Sequence, residues 1–219
     1  MNGQNKNVRR EISSRKTSWA RRTAAFLARA GVKPNTISVL SIFFAAGSCG
    51  CLVLSTNAGE TQKIILFLVS AVLIQFRLLC NLFDGMVAIE WGLKTKSGEI
   101  FNDLPDRISD PMILVGAGYA VSHVRFGVEL GWLAGILAVL TAYVRVLAGK
   151  LGASESFAGP MAKQHRMAVV TIALVVAAVG VKGGWCEYSI MIALSVVVLG
   201  SVITLVRRAV AAVRELESS

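Results

Sequence analysis

Apolar and polar positions divide the chain into six long apolar runs, at about 36–55, 63–89, 99–122, 128–149, 166–182 and 188–208. Each is near the roughly 20 residues that a helix needs to cross the hydrocarbon of a bilayer. The second and sixth are long enough to project beyond it. Ahead of them, Trp19, Ala20, Thr23, Phe26 and Leu27 recur at helical spacing, with Arg21, Arg22 and Arg29 largely off that stripe. This predicts an amphipathic helix, either lying on an anionic membrane surface or packed against the bundle. Pro34-Asn35-Thr36 marks a turn and a helix start. The predicted fold is therefore all-α and integral to the membrane: six transmembrane helices with an N-terminal amphipathic interfacial helix. Two parts follow, a basic N-terminal segment at 1–33 and a six-span unit at 34–219.

Composition agrees: 54% of the 219 residues are hydrophobic and 16% charged, against roughly 25% charged in soluble domains. The net charge of +10 does not read as a nucleic-acid surface, because the basic residues gather at the ends of apolar runs without interleaved aromatics. Their placement gives an orientation. The N-terminal segment, Lys94 and Lys96, then Lys150, Lys163 and Arg166, and finally Arg207, Arg208 and Arg214 mark one side. The alternate loops hold Lys63, Arg125 and Lys182. Both termini are then cytoplasmic by the positive-inside rule, as expected of a bacterial inner-membrane protein. Cys49, Cys51, Cys80 and Cys186 lie in or beside apolar segments, with no metal-ligand spacing, and read as reduced packing residues. Gly131-W-L-A-Gly135 has the form of a close helix-packing motif.

The chemistry is concentrated between Asn81 and Asp110. All four aspartates of the protein, Asp84, Asp103, Asp106 and Asp110, fall there, and acids inside a membrane segment are costly unless they serve a purpose. At 100° per residue, Asn81, Asp84 and Ala88 share one helix face, with Arg77 on that face two turns deeper than Asp84. Glu99, Asn102, Asp103, Asp106 and Asp110 fall within about 100° of arc on the next helix. Two helices joined by a short loop are expected to be antiparallel neighbours, so the stripes should face each other across an oxygen-lined pocket at the cytoplasmic interface. Such a donor set, without histidine or cysteine, suits Mg²⁺ or Mn²⁺. Mg²⁺ is commonly held by one or two carboxylates plus substrate phosphates, so a pyrophosphate-bearing substrate is implied. Gly85 and Gly98 leave room beside the pocket. Asp103 reads as either a helix cap or a metal ligand. Arg77 reads as either a partner of Asp84 or Asn81 or a phosphate contact, and Lys163 and Arg166 as either interface anchors or phosphate contacts.

The spacing resembles the signature of the CDP-alcohol phosphatidyltransferases, D-x2-D-G-x2-A-R-x8-G-x3-D-x3-D. Asp84, Gly85, Ala88, Gly98 and Asp106 match it, while Asn81, Ile89 and Asn102 stand where the family has Asp, Arg and Asp. Pro34-Asn35-x-x-Ser38 looks like the family's first-span entry. The pattern looks closest to a divergent branch with a later A-G-P-x2-K-x2-R, here Ala158-Gly159-Pro160, Lys163 and Arg166. The resemblance implies transfer of a phosphatidyl group from CDP-diacylglycerol to an alcohol acceptor with release of CMP, in phospholipid biosynthesis, and a homodimer among membrane lipids. It implies metal at Asn81, Asp84, Asn102 and Asp106, joined by Asp103 as an added acid. CDP would contact Asp84, Gly85, Ala88 and Gly98, with Arg77, Lys163 and Arg166 toward the acceptor or its phosphate. The base on the acceptor hydroxyl would be Asp106 or Asp110. Competing classes are a catalytically silent lipid-binding relative and a divalent-cation transporter. The shallow depth of the acids argues against transport, whose sites usually lie near the midplane.

Overall fold

The computed structural model describes residues 17–90, 92–93, 97–154 and 159–218. The basic segment ahead of Thr17, and Lys94 and Lys96, lie outside them. Seven helices follow in order: α1 (Ser18–Arg29), α2 (Pro34–Ser55), α3 (Glu60–Glu90), α4 (Gly98–Ala120), α5 (Gly127–Lys150), α6 (Lys163–Gly180) and α7 (Cys186–Glu217). Five of them, α2, α3, α5, α6 and α7, are long and apolar enough to cross a membrane. The sixth predicted span, α4, has a comparable 23 residues but carries Glu99, Asp103, Asp106, Arg107 and Asp110 between its start and its middle. The protein is an integral membrane protein by these helices, and large apolar side chains such as Phe43, Leu54, Ile172, Val179 and Leu199 point outward.

The long helices close a ring in which each packs along two others, in the order α2, α3, α6, α7, α5, α4 and back to α2. This corrects the expectation that α3 and α4, joined by a short loop, are direct neighbours. They touch only briefly, and α2 packs along both. The reason is the slenderness of α2. Its buried residues are Pro34, Ile37, Ser38, Ser41, Ala45, Ser48, Leu52 and Ser55, mostly small side chains that allow close approach in lipid. Ser48 and Ser70 of α3 share a hydroxyl hydrogen bond of 2.8 Å, and Gly116 of α4 faces the backbone of Cys49.

Small residues also set the α4–α5 crossing. A Cβ on Gly118 would lie 2.8 Å from the Gly131 Cα and from the Gly127 carbonyl oxygen. The Gly131–Gly135 pair is thus spent on packing within the chain, with Gly135 against Pro111.

The short helix α1 packs on the end of α3 through Ala20 and Ala24, which join Cys80, Leu82, Phe83, Met86 and Val87 in a small second core. The predicted stripe is therefore rotated. Trp19 and Phe26 are 49% and 70% exposed, with Trp19 reaching back edge-on to Phe83 at 6.1 Å. Alanines fit against the bundle more closely than the aromatics could, which leaves the large side chains for the interface.

Because Gly118 and Gly131 meet backbone to backbone, Gly118→Leu should lower the unfolding temperature in detergent markedly, by about 1–3 kcal/mol of overpacking strain. Gly50→Ala, where a Cβ would meet nothing within 4 Å, should leave it unchanged or raise it slightly. Thermal unfolding of the two variants beside the parent checks both.

Candidate active site

All six helices of the ring send polar groups into one cluster, toward the ends that carry Asp84 of α3, Asp106 of α4 and Lys163 of α6. At its base lies Arg77, whose side chain is fully buried. It donates from Nη2 to Asp110 Oδ1 at 2.6 Å and to Asp106 Oδ1 at 3.0 Å. Arg166 Nη2 takes the other Asp110 oxygen at 3.0 Å, while its Nη1 donates to the Met161 carbonyl at 3.0 Å. Lys163 donates to Asp106 Oδ2. The cluster continues into α5 and α7, where Arg208 Nη1 donates to the Thr141 carbonyl at 2.8 Å.

Asp84 is different. It is 3% exposed, receives Ser38 Oγ of α2 on Oδ2 at 2.6 Å, and leaves Oδ1 buried with no hydrogen-bond partner. One turn earlier, Asn81 Nδ2 is also buried and unpartnered. Orphaned buried polar atoms of this kind mark a missing partner. Because an amide's oxygen and nitrogen are interchangeable in placement, Asn81 can present its oxygen to the same space.

The α6 entry explains Gly159 and Pro160 of the A-G-P segment; Ala158 lies outside the described residues. Gly159 has φ +120, and a Cβ there would meet three Thr204 side-chain atoms at 2.5–2.8 Å, so only glycine fits. Thr204 Oγ1 in turn accepts from the Met161 amide at 3.0 Å, which fixes the start of α6. Lys163 and Arg166, one turn apart, are thereby aimed at Asp106 and Asp110.

The sequence-predicted residues separate into groups. Asp84, Asn81, Asp106, Asp110, Arg77, Lys163 and Arg166 come together. Lys163 and Arg166 point inward, which corrects their reading as interface anchors. Arg77 bonds α4 rather than Asp84 or Asn81 of its own helix. Asp103 lies inside α4, whose N-cap is Ser97, which corrects its reading as a cap. It accepts instead from Arg107 at 2.5 Å and Arg145 at 3.1 Å. Asn102 is exposed, Gly85 and Ala88 are half-buried, and Gly98 is the first residue of α4. Ile89, in the place of the signature arginine, is 41% exposed. Sequence reasoning missed Arg145 and Ser38 as members of the cluster. An arginine within an apolar span is a signal for the first; the second had only its match to the span-entry motif.

A divalent cation fits the donor set at Asp84. Among the described residues, no three acidic, histidine or cysteine side chains gather closely enough to hold a metal alone. The available donors are Asp84 Oδ1 and Asn81, which suits an ion completed by substrate phosphates; the two Asp106 oxygens are taken by Arg77 and Lys163.

No family model matches the sequence. The phosphatidylinositol phosphate synthase of Streptomyces avermitilis is 28% identical over 200 residues, covering 88% of this chain and 77% of that protein. The fold matches crystal structures of the Mycobacterium tuberculosis phosphatidylinositol phosphate synthase. The form with CDP-DAG bound gives a TM-score of 0.75 at 19% identity, covering 90% of this chain and 94% of that one. The complex with manganese and citrate gives 0.74 at 21% identity, covering 88% of both. The chain is similar in sequence to the first of these synthases and shares the fold of the second. Within that relationship, Asn81, Ile89 and Asn102 are departures in the same stretch where Asp84, Gly85, Ala88, Gly98 and Asp106 keep the spacing.

Removing one member of a buried ion pair typically costs 3–5 kcal/mol, because the partner charge is left stranded. Asp110→Ala leaves Arg166 without its carboxylate and Arg77 with Asp106 alone, so it should be severely destabilising. Asp103→Ala, at a half-exposed surface pair, should cost under about 1 kcal/mol. Denaturant or thermal unfolding of the two proteins separates them; equal losses would place Asp103 in the buried framework as well.

Proposed function

We propose that the protein is a Mg²⁺- or Mn²⁺-dependent transferase that moves a phosphatidyl group from CDP-diacylglycerol to an alcohol, with release of CMP. The observation that carries this reading is the buried, unpartnered Asp84 oxygen beside Asp106 and Lys163, in a fold shared with a synthase that holds CDP-DAG. The relatives' name suggests an inositol phosphate as the acceptor. The reading also places the pocket and both termini on the cytoplasmic side of a bacterial inner membrane. That orientation is supported by the basic loops; a homodimer rests on the family resemblance.

Asp84 and Asn81, completed by the substrate's phosphates, would hold the metal ion, with Asn102 as a further amide donor. When bound, it would neutralise the diphosphate and favour departure of CMP. Gly85, Ala88 and Gly98 leave the backbone open to the nucleotide. The acceptor hydroxyl attacks the β-phosphorus as the bond from that phosphorus to the CMP oxygen breaks, and its proton passes to a carboxylate. Asp106 suits that role better than Asp110. The Asp106 side chain is 12% exposed and that of Asp110 3% exposed, with each Asp110 oxygen held by a guanidinium.

Purified protein with CDP-diacylglycerol, Mn²⁺ and a panel of alcohols including inositol phosphate should release CMP. Asp84→Ala should abolish release while the protein stays folded. Asp106→Asn should lower it by about 10²–10⁴ without rescue by added metal. Absence of CMP with every acceptor would leave the silent lipid-binding relative as the better reading.

Orientation has its own check. After removal of the native cysteines, a cysteine at exposed Lys150 should react with an impermeant thiol reagent only once the cytoplasmic face is opened. One at exposed Arg125 should react from outside intact cells; the reverse pattern would overturn the orientation.

A further inference from the structure

The charges in the cluster do not balance as a metal-binding site would require. The four carboxylates are Asp84, Asp103, Asp106 and Asp110, and five cations lie on three of them: Arg77, Lys163, Arg166, Arg107 and Arg145. Among the described residues, no ion pair reaches Asp84. The amides at Asn81 and Asn102 remove two negative charges from the stretch. An ammonium sits instead on Asp106 Oδ2, held there by the Gly159–Thr204 contact that fixes the start of α6. Resting on the transferase reading, we propose that Lys163 is a built-in counter-ion that takes the place of a metal at Asp106. One divalent ion at Asp84 then suffices, and Lys163 meets the substrate's diphosphate.

The geometry supports an exchange. Lys163 is a point charge on a flexible four-carbon stem with three donors, so it can transfer from Asp106 to an arriving diphosphate oxygen without moving the backbone. That transfer frees Asp106 Oδ2, the oxygen required to receive the acceptor's proton. Arg77 remains on Oδ1 and keeps the carboxylate oriented. Ammonium and diphosphate are thus coupled to the arming of Asp106, and the proton ends on the oxygen that Lys163 released.

The test counts metal rather than turnover. Mn²⁺ binding to the detergent-solubilised chain, followed by electron paramagnetic resonance and calorimetry, should give one equivalent per chain. Lys163→Gln exposes Asp106 Oδ2 and should either add a second equivalent or tighten Mn²⁺ binding by about ten-fold. Its affinity for CDP in the absence of metal should fall about ten-fold or more, as expected for losing a hydrogen bond between charged groups. Lys163→Arg keeps the charge and should keep the parent's stoichiometry. Two equivalents in the parent, none at all, or a Lys163→Gln protein with unchanged metal stoichiometry and affinity overturns the proposal. Should Lys163→Gln not fold, Asn81→Asp reads the same question. With Lys163 in place, the new carboxylate should tighten the single site without adding a second ion, and a second equivalent would sink the idea. If the metal counts come out as expected while no alcohol yields CMP, it is the transferase reading that fails.

Discussion

The double clamp on Asp110 is the interaction on which the rest of the structure depends. Arg77 from α3 and Arg166 from α6 each take one oxygen of a carboxylate on α4, well inside the ring. Three apolar helices thereby acquire a fixed mutual depth and rotation, which packing among small and aliphatic side chains alone would leave loosely defined. Buried ion pairs are weak sources of net stability, since desolvation offsets much of their attraction. Their value here is register. Once Asp110 is set, Asp106 one turn away on α4 and Lys163 one turn away on α6 must also meet.

The clamp also divides the acids by role. Asp110, saturated and buried, is part of the framework. Asp103 serves a half-exposed pair with Arg107 and Arg145. Asp106 shares its two oxygens between a rigid guanidinium and a mobile ammonium, and Asp84 has a single hydroxyl donor and an open oxygen. Availability does not follow exposure: Asp84 is as buried as Asp110 yet keeps an unpartnered oxygen, while the more exposed Asp103 is doubly paired. Reaction chemistry needs groups that are positioned but not used up, and Asp84 and Asp106 come nearest to that condition.

The slenderness of α2 makes this arrangement possible. Its serines and alanines let α3 and α4 approach from either side without packing along each other, so their polar stripes meet through the long Arg77 side chain. Ser38, at the start of α2, is the one α2 side chain that reaches the site, and it orients the carboxylate left open for a cation.

What the sequence determined was local and periodic. The six apolar runs correspond to the six long helices, five of them apolar enough to cross a membrane, because length and hydropathy are properties of a segment alone. The faces holding Asn81 with Asp84, and Asp103, Asp106 and Asp110, followed from 100° per residue. What the tertiary structure decided were the partners. Arg77, Lys163 and Arg166 were legible as candidates, but which acid each meets depends on the ring order of helices, and that order is set by small-residue packing of α2 and of the Gly118–Gly131 crossing. The same physics rotated α1, whose alanines rather than its aromatics face the bundle. Periodicity identifies an apolar face but not which part of it meets protein and which meets lipid, because both are equally good solvents for a hydrocarbon side chain.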